Sequence, residues 1–371
     1  MKRAFFTGAT GTLAPFLIHR LLHEGDEERF VCLVRSDSGP GRLQRRMATI
    51  CPDCAGEVQA PRFEFVPGEV TAPIPDVGPL DTVWHFASDL RMEHGTESAV
   101  TATNLGGTER VLDLCCRTGA TLFHVSTAYV CGTRSGTVRE NELLCGQSFR
   151  NAYESSKAQA EVVVREFLSG HPGAVFRPSI VIGDTRTGVS LTFQGFYKVL
   201  WAALRLHKRL SGVAGVLLGA RGRDIALTLP CASLDDGVNL VAAEYETDLL
   251  FRLHRDPRAL GRTFHLVNPV APTIRELLAV FTEIIGIRGV RLVSKGEARE
   301  EETAAGVRAL NAYVGDQIMV YFPYIAERHP DFDMSNVAEL CGGVPAHPPL
   351  DHAAWERLFH YAVDRDFAAV Y

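Results

Sequence analysis

Through the first half of the chain, short apolar runs alternate with longer stretches whose apolar positions recur every three or four residues. The runs Ala4–Thr7, Phe30–Val34, Arg62–Val66, Thr82–Phe86, Leu122–Ser126 and Val175–Ile182 are rich in β-branched and aromatic residues, which predicts strands. Leu13–His23, Ala99–Arg117 and Asn151–Leu168 carry the helical period between them. Strands that alternate with helices of this length predict an α/β, Rossmann-type doubly wound parallel sheet. Loops are expected around Gly39-Pro40-Gly41 and from Pro73 to Pro79. After Gly183 the alternation weakens, with a strand-like Thr263–Val267, a helical Thr273–Ile285 and a tail from Ala304 to Tyr371 that is helical in pieces. The expected division is a doubly wound domain over 1–190 and a smaller, mostly helical lobe over 191–371, interleaved with returning core elements.

Composition narrows the classes. Of 371 residues, 46% are hydrophobic and 22% charged, as in an ordinary globular protein. A formal charge of -6 gives no basic footprint, so no nucleic-acid partner is expected. The longest apolar stretch, Val199–Ala220, is broken by Arg205, His207, Lys208 and Arg209, which argues against a membrane span. As an amphipathic lid it leaves contact with a membrane surface open. Nine cysteines, with Met1-Lys2-Arg3 running straight into a strand, predict a cytoplasmic protein with free thiols. Cys51-Pro52-Asp53-Cys54 has zinc-knuckle spacing, but no second pair lies near it in sequence and the histidines, such as His85 and His94, are scattered. The segment reads as a solvent-facing loop, and no metal is expected.

The first turn carries more specific chemistry. Thr7-Gly8-Ala9-Thr10-Gly11-Thr12-Leu13-Ala14 follows the first strand, with small residues at Gly8, Gly11 and Ala14. Gly8 permits a tight turn, Gly11 lets the backbone approach a pyrophosphate, and Ala14 lets the helix lie close to the sheet. Free amides and the helix dipole then favour phosphate, so Thr7, Gly8, Thr10, Gly11, Thr12 and Leu13 are expected at a dinucleotide. The second strand ends in Leu33-Val34-Arg35-Ser36. Where NAD-binding folds place an acid for the ribose hydroxyls, Arg35 stands, suited to a 2′-phosphate; NADP(H) is therefore favoured, with NAD(H) the alternative.

Further on come His124-Val125-Ser126-Thr127-Ala128-Tyr129-Val130, Tyr153-Glu154-Ser155-Ser156-Lys157 and Arg177-Pro178-Ser179-Ile180-Val181-Ile182-Gly183-Asp184. On a helix, Tyr153 and Lys157 lie on one face. A phenol of ordinary pKa about 10 is a poor acid-base group near neutrality, and a neighbouring ammonium makes its phenolate accessible. With these phrases the chain resembles the extended short-chain dehydrogenase/reductase family, nearest its fatty acyl-CoA reductase ("male sterility") and thioester-reductase branch. The likeness runs over about the first 190 residues and, more loosely, Asn239–Phe281. It implies that Thr127 is the catalytic hydroxyl, Tyr153 the proton donor and Lys157 its activator. It further implies that Asn104, before Gly106-Gly107-Thr108, braces the centre, and that Ala87 and Ser88 of His85-Phe86-Ala87-Ser88 lie under the ribose and pyrophosphate. Pro178 and Ser179 would lie against the nicotinamide. Gly68-Glu69-Val70 stands where the branch has Gly-Asp, which puts Glu69 and Val70 at the adenine. Asn239-Leu240-Val241-Ala242-Ala243-Glu244-Tyr245 replaces a usual Val-Pro-Val-Asp-Tyr-Val, which implies rearranged packing in the lobe.

Phe193-Gln194-Gly195-Phe196-Tyr197 and Val199–Leu204 begin where that family builds its substrate cleft, although an amphipathic helix buried in the core would read the same. Lys198, Arg205, Lys208 and Arg209 suit a phosphate or carrier-protein surface, or a solvated face. The leading expectation is reduction of a hydrophobic acyl thioester, on coenzyme A or a carrier protein, to an aldehyde or alcohol. The runner-up is a ketone reductase or secondary-alcohol dehydrogenase acting on a hydrophobic secondary metabolite. A sugar-nucleotide epimerase fits Arg35 and the apolar lobe poorly, and a silent redox sensor would have little use for Thr127, Tyr153 and Lys157 together. A homodimer is compatible with the sequence.

Overall fold

The computed structural model describes every residue except 1, 26, 210–224, 230, 287–289, 299–311, 313–322, 328 and 369–371. Seven strands, β1 (Lys2–Thr7), β2 (Glu27–Val34), β3 (Phe63–Pro67), β4 (Thr82–His85), β5 (Thr121–Val125), β7 (Gly173–Pro178) and β11 (Thr263–Leu266), form one sheet in the order β11-β7-β5-β4-β1-β2-β3. Every pairing in it is parallel. Strand order reverses between β1 and β4, and a sheet of this kind binds ligands in the crevice at that point.

Alternation along the strands builds two cores. Phe6, Phe30, Trp84, Phe123 and Phe176 face α1 (Ala14–Glu24), α2 (Gly39–Ile50) and α7 (Ala243–His254). Their neighbours Phe5, Val31, Val83, Leu122 and Val175 face α4 (Gly107–Thr118) and α5 (Ala152–Leu168) on the other side. The expected helix over Ala99–Arg117 is observed as α3 (Glu97–Thr101), a π-helical turn Ala102–Gly106, and α4.

Two expectations fail here. Gly39-Pro40-Gly41 is not a loop but the opening of α2, because proline in a first turn loses only an amide that has no helical partner. The Cys51–Cys54 segment faces solvent at Pro52 and Asp53 as expected, but its cysteines are bonded to each other rather than free thiols. It is a 3-10 turn, Pro52–Glu57, with Cys54 buried and the Cα atoms of the bonded cysteines 5.4 Å apart, well within disulfide reach. The other described cysteines are free thiols.

The run Val175–Ile182 divides at Ser179: β7 stays in the sheet, while β8 (Ile180–Val181) pairs with β10 (Leu240–Val241). Two further parallel pairs, β9 (Ile225–Leu229) with β12 (Val290–Ser294) and β6 (Thr137–Val138) with β13 (Asp331–Phe332), lie outside the main sheet. A third core joins Ile182, Leu234 and Val238 to Ile274 and Leu277 of α8 (Ile274–Ile285) and Trp355 and Leu358 of α11 (His352–Asp364). The helix α6 (Phe196–Arg209), α9 (Pro323–Ala326) and α10 (Ser335–Cys341) complete the described helices. Among the described residues, no helix is long and apolar enough to cross a membrane. Residues 210–220 of the apolar stretch and most of 304–322 lie outside the described residues.

Candidate active site

The glycine turn sits where the sheet changes direction. Gly8 has φ +68, and a Cβ there would lie 2.7 Å from the Ala87 amide nitrogen, so only glycine fits between the ends of β1 and β4. The Gly11 amide donates to the Gly8 carbonyl at 2.8 Å and closes the turn. No side chain caps the N-terminus of α1, and its first turn holds no acid, which leaves its amides for an anion. Arg46 of α2, buried, donates to the Gly11 carbonyl at 2.7 Å and to the Leu191 carbonyl at 3.1 Å. It sets a guanidinium behind the turn. The sequence did not disclose it, because α2 opens on Gly39-Pro40-Gly41, which reads as a loop.

Thr7 is fully buried, and its hydroxyl is engaged by His85 Nδ1 at 2.7 Å and by the Ala87 amide at 3.2 Å. His85 Nε2 meets the Thr108 hydroxyl at 3.0 Å, and Thr108 donates to the Asn104 carbonyl. Burial first, then the Lys157 charge, holds His85 down at about 3, so this relay is neutral. Asn104 occupies the π-helical turn, a distortion found often at functional sites. Its Oδ1 accepts from Ser88 Oγ at 3.0 Å and the Asp89 amide at 2.7 Å, while its Nδ2 donates to Ser156 Oγ at 2.9 Å. It thus ties the loop after β4 to the first turns of α5.

Thr127 stands just beyond β5, its hydroxyl accepting from the Tyr129 amide at 3.3 Å. Asn151 caps α5, and the helix carries Tyr153 and Lys157 back toward that strand end. Burial pushes the Tyr153 phenol up to about 12, against a hydrogen bond with Thr127 that pulls it down. Lys157 is 2% exposed and donates to the Val125 carbonyl at 2.7 Å. Burial lowers it to about 8, opposed by the Glu161 carboxylate one turn along. At neutral pH the centre therefore offers a protonated phenol beside the Thr127 hydroxyl, with an ammonium on the same helix face. Among the described residues, Lys157 makes no direct bond to Tyr153.

Behind these groups lies an ion pair that the sequence did not disclose. Glu161 and Arg177, both fully buried, meet at 2.7 Å. Glu161 also accepts from Ser126 Oγ at 2.8 Å and pairs with Arg165, and Arg177 reaches His265 on β11. Glu161 lies four residues after Lys157, but its partner is set by strand order rather than spacing. Glu154, beside Tyr153, is held by Arg150 and by the Tyr324 hydroxyl of α9 at 2.7 Å.

The remaining expected positions fall around the crevice. Thr10 and Thr12 are partly exposed in the turn, and Leu13 is buried as the residue before α1. Arg35 and Glu69 are exposed just past the ends of β2 and β3, and Val70 packs against Gly107. Among the described residues Arg35 has no hydrogen bond or ion pair, although its charge helps hold Asp89 below the usual carboxylate range, after the larger effect of Arg91. Pro178 ends β7, with its carbonyl 3.5 Å from Thr127 Oγ1. Ser179 donates to Asn239 Oδ1 at 2.6 Å, so Asn239 holds the point where the chain leaves β7 for β8. In the lobe, Phe193, Tyr197 and Leu200 are core residues, and Phe196 packs on Phe281 and Trp355. Trp201 carries Arg205 over its ring at 4.2 Å. The Lys208 and Arg209 side chains lie outside the described residues.

A dinucleotide fits this crevice. The Gly8 cradle would be filled by any Cβ, the α1 amides lack a cap, Arg46 backs the turn and Arg35 stands at the far strand end. The sheet order and the glycine cradle are those of a nicotinamide-dinucleotide-binding fold of the extended short-chain dehydrogenase/reductase class. Residues 6–212 match the male sterility protein family, and the chain belongs to it, in the thioester-reductase-like branch. The aldehyde reductase lnaA of Aspergillus flavus is 29% identical over 209 residues, covering 50% of this chain and 20% of that protein. The chain thus spans about a fifth of that relative's length. The terminal R domain from the myxalamid PKS-NRPS biosynthetic pathway is 25% identical with a TM-score of 0.78, covering 100% of this chain and 92% of that one. A thiolation-reductase di-domain from an archaeal non-ribosomal peptide synthetase shares the fold, at 19% identity and TM-score 0.76 over 99% of this chain and 76% of that one.

Proposed function

We propose that this protein uses NADPH to reduce a hydrophobic acyl thioester, presented on a carrier protein or coenzyme A in the cytoplasm, to an aldehyde or alcohol. The observation that carries the reading is that the end of β5 and the first turns of α5 bring Thr127, Tyr153 and the buried Lys157 together, with a phenol that stays protonated near neutrality. A group with that proton suits reduction of a carbonyl better than oxidation of an alcohol. Likeness to a terminal R domain over the whole chain supports a carrier-bound thioester. The exposed Arg35, free to meet a 2′-phosphate, supports NADPH over NADH.

Bound in the cradle, the reduced nicotinamide would supply a hydride to the carbonyl carbon. Thr127 and Tyr153 would hold the carbonyl oxygen as negative charge builds on it. Lys157, fixed by Val125, keeps a positive charge behind the phenol. As the carbonyl re-forms, the carbon–sulfur bond breaks and the thiolate leaves, taking a proton from solvent to become the thiol and giving an aldehyde; a second round with a second NADPH, with Tyr153 giving its proton to the alkoxide, would give the alcohol. The test presents a long-chain acyl-CoA or acyl carrier protein and follows NADPH absorbance beside free thiol. Thiol released in step with NADPH oxidation is expected. NADPH oxidation on hydrophobic ketones alone, with no thiol from any thioester, would replace this reading with a ketone reductase, the reaction to which the same three residues are suited.

A further inference from the structure

The segment that the sequence left as an unsupported cysteine pair acquires two histidines in the fold. His19 and His23 are four apart on α1 and so share a face, with ring centroids 4.7 Å apart. The 3-10 turn after α2 brings Cys54 onto that face, where its Sγ lies 3.5 Å from His23 Nε2. One ligand atom each from His19, His23 and Cys54 lies within 4.8 Å of the other two. Cys51 stands outside that group of three, but its sulfur is bonded directly to the Cys54 sulfur and so borders it.

The geometry points to a tetrahedral Cys2His2 zinc site formed by His19, His23, Cys51 and Cys54 when the two cysteines are reduced. Zinc–sulfur bonds near 2.3 Å and zinc–nitrogen bonds near 2.0–2.1 Å place neighbouring sulfur and nitrogen ligands about 3.6 Å apart. The Cys54–His23 separation already matches that edge. Four protein ligands close the coordination shell, the arrangement of a structural rather than a catalytic zinc. His23 is exposed and gives the ion a way in, and the Glu57 carboxylate, 3.6 Å from His23 Nε2, adds negative potential. The ion would pin the C-terminal half of α1 to the turn that follows α2, and these two helices carry the glycine cradle and Arg46.

Loading from the disulfide form requires a thiol or phosphine reductant. It delivers two electrons, the sulfur–sulfur bond breaks, and each sulfur takes a proton. Zn2+ then displaces both protons to solvent as two zinc–thiolate bonds form. Disulfide and zinc thiolate are thus alternative states of one pair.

The experiment uses the full chain, reduced with a phosphine, desalted anaerobically and titrated with zinc chloride or cobalt chloride. We expect one metal per chain, with the tetrahedral cobalt spectrum and its thiolate charge-transfer band. Cys51→Ser, Cys54→Ser and His23→Asn should each weaken binding on the order of 10²-fold or more. His23 is exposed, so His23→Asn keeps the test independent of folding, and circular dichroism checks each variant. The oxidised protein should bind no stoichiometric metal. A reduced, folded protein without the cobalt thiolate band would overturn the site. So would unchanged affinity in Cys51→Ser and His23→Asn, or equal binding by the oxidised chain.

Discussion

Around Thr127, Tyr153 and Lys157, polar side chains are held by residues far away in sequence. Glu161 grips Arg177, Arg177 reaches His265, Asn104 joins Asp89 to Ser156, and Glu154 is held by Tyr324. Around α6 the contacts are rings on rings: Phe193 on Tyr197, and Phe196 on Phe281 and Trp355. Directional bonds fix angles as well as distances, as a hydride and a proton converging on one carbonyl require. Apolar packing fixes volume and tolerates exchange of residues of similar size. The first region thus fixes directions, and the second fixes volume.

That contrast can be broken most severely at the buried ion pair. Glu161→Ala leaves Arg177 buried without its carboxylate and should lower stability by about 3–5 kcal/mol, measured by denaturant unfolding. Next comes the cofactor end. Arg35→Asp should weaken NADPH binding by roughly ten- to a hundredfold, the weight of a charged hydrogen bond, and NADH binding far less. Equal losses in a fluorescence titration would remove Arg35 from the 2′-phosphate. A third effect is graded by pH. Lys157 titrates at about 8, below the ordinary lysine range, because burial disfavours its charge. Reduction that depends on that charge should be full below this value and fall as pH rises through it, read from kcat/KM; a rate that climbs above pH 8 would dissociate Lys157 from catalysis. The smallest effect belongs to the lobe. Tyr197→Phe removes the hydroxyl bonded to the Ile182 carbonyl and should cost about 0.5–1.5 kcal/mol of stability while leaving NADPH affinity unchanged.

The same contrast explains what could be read from the chain. The glycine turn, Thr127 and the Tyr153–Lys157 pair are local patterns with a fixed mechanical meaning, and the strands of the doubly wound half were legible from their apolar runs. Glu161–Arg177–His265 was not, because Glu161 meets Arg177 only where α5 packs on β7, and Arg177 meets His265 only where β11 lies beside β7. Arg46 was hidden by a helix that opens on Gly-Pro-Gly. His19 and His23 gave no metal signal because the sequence separates them from Cys51 by a strand and a helix, which only the fold doubles back. The rings of α6 had two equal readings, cleft or core; Phe193, Tyr197 and Leu200 pack in the core.

The central claim is that Tyr153, beside Thr127, delivers the proton in the reduction. The direct test measures NADPH affinity and turnover on one preparation of Tyr153→Phe. The account predicts retained affinity with turnover lower by a factor on the order of 10² or more. Turnover near that of the unaltered protein would contradict it.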